Sequence, residues 1–262
     1  GLGYVYKPQT YNDSTVRMHH DIEVLPNGNV LILAWERRAR GNAIVNGRDT
    51  ALIDAGHIWP ERIVEVEQTG LTTGNIVWVW RAWNHLIQDF DSTRLNYGVV
   101  ADHPELIDIN FGINGGSPDW LHGNAIDYNP ELDQVMLSVP NFSEIWIIDH
   151  STTTAEAAGH TGGLSGRGGD LLYRWGNPRA YRAGTGAARK LGFQHDAHWM
   201  DVTLPPNHPD FGKIMVFNNR YGQDTSAVHT WIPVFDTANW EYPMMGNRWG
   251  PQDFDWTYLH PE

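Results

Sequence analysis

The chain has 262 residues, 41% of them hydrophobic, which suits one or two domains with a packed core and excludes a disordered chain. With 18 basic against 31 acidic residues, its formal charge of −13 argues against general binding to nucleic acid or anionic membranes. The absence of cysteine excludes disulfides, thiolate metal sites and cysteine nucleophiles, and no apolar run is long enough to span a bilayer.

Residues 1–19 read as the end of an earlier unit, with weak alternation at Tyr4, Val5 and Tyr6 and a turn cluster at Asn12, Asp13 and Ser14. The chain starts at Gly1 and shows no signal peptide. A first set of four strands is predicted at 20–22, 28–32, 62–66 and 75–80. Between the first two of these, Asn27-Gly28 marks a tight hairpin, because Gly supplies positive φ. Residues 84–119 are an insertion, in which Asp102, Pro104 and Glu105 look like a helix start. A second set follows at 122–125, 134–138, 144–148 and 170–175, with its turn at 128–133. Residues 151–169 and 176–192 are glycine-rich loops without a Walker signature, so turn chemistry explains their glycines better than phosphate binding. A third set occupies 195–198, 213–217, 229–234 and 253–258, with a longer turn at 204–212.

Each set opens on a histidine: His20, His122 and His195. A repeated unit of four strands is the blade of a β-propeller. The expected fold is therefore all-β, one propeller region with blades at about 20–83, 122–175 and 195–258. Three blades leave two open sheet edges. We expect either a longer polypeptide, favoured by the character of residues 1–19, or a homo-oligomer that completes the ring. Six of the 13 tryptophans, Trp78, Trp80, Trp146, Trp175, Trp231 and Trp256, sit at strand ends, where their rings can fill the spaces between blades.

Matching positions in successive blades face one axis, so the three histidines should converge. They could ligate Zn, Cu or Fe. Alternatively they could carry group-transfer chemistry, one imidazole attacking an electrophile while the others hold anionic oxygens or protonate the leaving group. Strand alternation predicts that His19 points away from His20, and His198 away from His195. Asp89, Asp91, Asp102 and Asp108 are generic calcium donors, without an EF-hand pattern.

The strings HHDIEVLPNGNVLI, DWLHGNAIDYNP, SEIWIID and GFQHDAHW, in this order, resemble the arylsulfotransferase family across residues 17–220. The resemblance implies a six-bladed propeller, periplasmic or extracellular. It also implies transfer of a sulfuryl group from a small aromatic sulfate to a phenol through a sulfohistidine, without a cofactor. By motif, His195 matches the nucleophile, His122 and Asn124 the histidine and asparagine that contact the sulfuryl oxygens or help the leaving group, and His20 the histidine ahead of the PNGN turn. Phe193, Trp120 and Trp199 are candidates to stack on the aryl ring. One departure stands out: the family's arginine is missing from Ser138-Val139-Pro140-Asn141-Phe142-Ser143. Arg174, Arg179 and Arg182 are candidates to replace it. The competing expectations are a non-catalytic binding propeller and a histidine-ligated metal site.

Overall fold

The computed structural model describes residues 13–112, 116–200, 204–205, 207–221 and 225–259. The reading of residues 4–6 and Asn12 lies outside the described residues, as does part of the 204–212 turn. The chain is nearly all β, and twelve longer strands form three four-stranded antiparallel sheets. The first comprises β1 (Val16–Val24), β2 (Val30–Glu36), β3 (Glu61–Gln68) and β4 (Gly74–Arg81). The second comprises β5 (Ala125–Asn129), β6 (Gln134–Val139), β7 (Glu144–Asp149) and β8 (Leu171–Trp175). The third comprises β9 (His195–Trp199), β10 (Ile214–Tyr221), β11 (Thr225–Trp231) and β12 (Trp256–Tyr258). All twelve predicted strands are present. His122 itself lies just ahead of β5 rather than on it.

In each sheet the strands follow chain order. The Asn-Gly hairpin forms as its residues require: Gly28 has φ +88°, its N–H donates to Leu25 O, and Asn27 Oδ1 accepts from Asn29 N–H. In the second sheet Asn129 does similar work, with Oδ1 accepting from the N–H groups of Glu131 and Leu132.

The second sheet lies between the other two. Every residue of β6, β7 and β8 is buried, and their apolar runs are almost continuous, as expected of strands covered on both faces. Strands β1 and β10 instead mix buried and exposed positions. Indoles bridge the interfaces. Trp78 Nε1 donates to Thr152 Oγ1 and Trp80 Nε1 to Gly169 O, tying the first sheet to the loop of the second. Trp175 stacks on Trp231 at 4.3 Å, joining the second sheet to the third. Burying rings of this size drives the association, and each N–H keeps a partner.

No helix begins at Asp102. A short 3₁₀ turn ends there, and His103 lies outside the helical region (φ −128°, ψ 64°), which the ring of Pro104 disfavours for the residue before it. The single α-helix among the described residues, Arg40–Val45, lies in the β2–β3 connection and was not predicted. Among the described residues no helix is long and apolar enough to cross a membrane.

Candidate active site

Strand β5, the first of the second sheet, lies against both β1 and β9, the first strands of the other two. The histidines therefore approach each other across sheets. The rings of His20 and His122 meet edge to face at 4.8 Å, and the charge of His195 reaches His20. Direct ring contact joins His20 and His122, while His195 opens β9, the strand that packs on β5.

The backbone that presents them is irregular. His20 has φ +53° and His122 φ +57°, a left-handed conformation that costs a non-glycine residue about 1–3 kcal/mol. Across His20, four steps along β1 (Met18 to Ile22) match two along β2 (Ala34 to Ile32). At His195 one extra residue is inserted between the pairs His195–Phe217 and His198–Met215, and Asp196 has φ +53°. Bulges re-aim side chains. The alternation rule therefore fails at His19: its Nδ1 lies 2.8 Å from His20 Nδ1. Strand β9 is likewise not the regular strand on which His198 would oppose His195.

Two carboxylates set proton positions. Glu61, fully buried at the start of β3, lies with Oε2 2.8 Å from His19 Nε2, and its Oε1 accepts the Gly123 N–H at 2.7 Å. A carboxylate accepts, so His19 donates from Nε2 and offers a lone pair at Nδ1. His20 then donates from Nδ1 and turns an Nε2 lone pair outward. Burial lowers the His20 pKa, and the neighbouring charges of His19, His122 and His195 lower it further. Asp119 acts oppositely. Its Oδ2 binds His122 Nδ1 and raises the His122 pKa, outweighing the cost of burial. His20 and His122 touch, yet their proton affinities are pushed apart. Asn141 holds the Asp119 segment in place by donating from Nδ2 to Asp119 O and Trp120 O.

His195 is exposed. Its Nδ1 lies 3.0 Å from Phe193 O, and Asn219 Nδ2 is 2.7 Å from the same carbonyl and 2.9 Å from the ring nitrogen. Nδ1 thus faces both an acceptor, the carbonyl, and a donor, the Asn219 amide; donation from Nδ1 to the carbonyl is the arrangement that leaves the lone pair on Nε2.

Several predicted residues do other work. Trp120 is fully buried, donates Nε1–H to Phe111 O and packs on Phe142, so it belongs to the core. Trp199 is buried as well. Asn124 is 8% exposed and donates from Nδ2 to Gln194 O, tying the His122 segment to the residue before His195; it faces protein rather than solvent. Phe193 is exposed beside His195. Arg174 is fully buried in an ion pair with Glu144 at 2.6 Å, and Arg182 pairs with Asp89 and Asp108, so neither replaces the missing arginine. The latter pairs also occupy two of the suggested calcium donors, while Asp91 accepts from Thr93. Arg179 lines a cleft with Arg182, Asp108 and Phe111 rather than the histidines.

Sequence reading missed Asp119, Glu61, Trp35 and Arg220. Trp35 stacks on His19 at 4.0 Å and lines a cleft of about 240 Å³ with Arg17, Arg37, His57 and Trp59. The Arg220 guanidinium lies 4.5 Å over the Phe193 ring, beside the His195 turn. Only Asp119 carried a local signal, its i,i+3 spacing to His122. Among the described residues, the donors close enough to share one metal ion are His85, His160 and Asp170, not the three histidines. Joint ligation by His20, His122 and His195 is therefore set aside.

A family model described as Arylsulfotransferase (ASST) matches residues 1–233. Comparison with curated proteins found no match.

Proposed function

The chain belongs to the arylsulfotransferase family, and we propose that it transfers a sulfuryl group from an aryl sulfate to a phenol through sulfo-His195. The observation that carries this reading is the divergent pair beside His195: His122 is biased towards the cation by Asp119, while His20 is biased towards neutrality. Contrasting proton affinities in neighbours are what acid–base roles require.

In the first half-reaction the Nε2 lone pair of His195 attacks sulfur in line. The Nε2–S bond forms as the S–O(aryl) bond breaks. The departing electron pair stays on the phenolate oxygen, which takes the proton of His122. In the second half-reaction the acceptor phenol returns a proton to neutral His122. Its oxygen attacks sulfur, and the Nε2–S pair goes back to His195. His20, biased towards neutrality, leaves the proton of His122 as the one passed between leaving group and acceptor. Arg220 from β10 takes the place of the missing family arginine, supplying positive charge to the sulfuryl oxygens as they gain it. The cleft beside Trp35 offers two indoles and two guanidiniums, suited to an anionic aromatic donor.

The three sheets would then be blades of a propeller whose axis runs beside β1, β5 and β9. Ring closure would come from further blades or a second copy, and the location would be periplasmic or extracellular, as the family implies. The test is turnover of p-nitrophenyl sulfate with phenol as acceptor. Nitrophenolate release that disappears in His195→Ala, with folding intact, is expected. Equal release by wild type and variant would refute the nucleophile, and no release by wild type would favour a binding protein without catalysis.

A further inference from the structure

A second group of imidazoles lies at the opposite edge of the second sheet, and sulfuryl transfer makes no use of it. His85 follows the first sheet, His160 sits in the glycine-rich loop at 151–169, and Asp170 directly precedes β8. Asp170 Oδ1 lies 2.8 Å from His85 Nδ1 and 2.8 Å from His160 Nδ1. The three donor atoms all lie within 4.8 Å of one another.

The chemistry of His85 separates this group from an ordinary surface cluster. Its ring is wholly buried and lies parallel to Trp80 at 5.8 Å. Its Nε2 is 3.0 Å from Ala157 O. A carbonyl oxygen only accepts, so Nε2 carries a proton and donates it. A neutral imidazole then has its lone pair at Nδ1, aimed at a carboxylate oxygen. Two lone pairs facing each other at this distance repel unless a cation, either a second proton on the ring or a metal ion, is shared between them. The Nε2–H···O=C bond is also the outer support that fixes the tautomer of a metal-bound histidine. The backbone is shaped to the ring: a Cβ on Gly169 would come within 2.7 Å of His85 Nε2.

We propose that His85, His160 and Asp170 bind one Zn²⁺ ion. Two nitrogens and one carboxylate oxygen suit this metal, with water completing the shell on the exposed His160 side. The ion would fasten the 151–169 loop, through His160, onto the interface between the first and second sheets. It would stabilise the fold and leave the sulfuryl chemistry untouched.

The test uses the full chain without a histidine tag, stripped with a chelator and titrated with zinc chloride by calorimetry. His160 is 59% exposed through its side chain, so His160→Ala should fold normally. The expected result is one Zn²⁺ per chain, bound at least tenfold more weakly by His160→Ala. Zinc should also slow tryptic cleavage after Arg167, the one arginine or lysine of the loop, in wild type but not in the variant. A His20→Ala/His122→Ala/His195→Ala variant should bind as wild type does. Wild type that takes up no zinc, or binding unchanged in His160→Ala, would overturn the site; so would binding abolished in the triple variant.

Discussion

Asp119 and Glu61 determine which imidazole holds a proton, Asp119 from three residues before His122 and Glu61 from a different strand than His19. Asp119 raises the His122 pKa above the usual imidazole value, so a required His122 proton is lost only as pH rises through that elevated value. Asp119→Asn removes the charge while keeping an acceptor oxygen. We expect the alkaline limb of the pH–rate profile to move to lower pH and kcat/KM at pH 8 to fall at least about tenfold, since positioned proton transfer is commonly worth about 10²–10⁴. An unshifted limb would assign the proton elsewhere. Arg220 is separable from Arg174 by its readout. Arg220→Ala should lower kcat/KM by roughly 10²-fold with little change in Tm, because a lost transition-state contact costs a few kcal/mol. The histidines were legible in the sequence through their repeat phase. Their partners were not: Glu61 is 42 residues from His19, and only the fold joins them. Trp120 was misread because its position next to the histidine motif says nothing of the direction in which its ring points.

Each four-stranded set was legible because alternation and turn residues agree locally, most plainly at Asn27-Gly28. What alternation could not show is where it breaks. The bulges at His20 and His195 carry no glycine, so positive φ at His20 and Asp196 has no sequence mark, yet the irregularity brings His19 beside His20. The helix expected at Asp102 fails through Pro104 acting on His103, a rule that should have outweighed the N-cap signal. Between elements, Trp78, Trp80, Trp175 and Trp231 do what their positions at strand ends suggested, whereas Trp256 is exposed. Trp80 is fully buried, donates to Gly169 O and faces His85. Trp80→Ala should destabilise the fold by about 3–5 kcal/mol, the usual cost of emptying such a site. Denaturant unfolding measures this. A loss below about 1 kcal/mol would mean that the first two sheets do not depend on that contact.

Over the whole molecule, the close approach of the first strands gathers charge as well as histidines. Glu23 on β1 is pushed up to about 7, first by burial and then by Asp127 on β5 and Asp21 on β1. A carboxyl raised in the folded state favours folding at low pH. That contribution is complete below its ordinary value near 4.5 and is lost as pH rises through about 7. Glu23→Gln should therefore raise Tm relative to wild type at pH 8, with the difference vanishing near pH 4. A constant difference would show that Glu23 is not held against its neighbours.

The most direct measurement is a single turnover without acceptor. The chain is mixed with p-nitrophenyl sulfate, quenched at alkaline pH to preserve the N–S bond, digested with trypsin and mapped by mass spectrometry. We expect a burst of one nitrophenolate per active chain and one added sulfuryl group on the peptide containing His195, discharged when phenol is added. A sulfuryl group found on His20 or His122 instead, or turnover with no covalent species, would contradict the assignment of His195 as nucleophile.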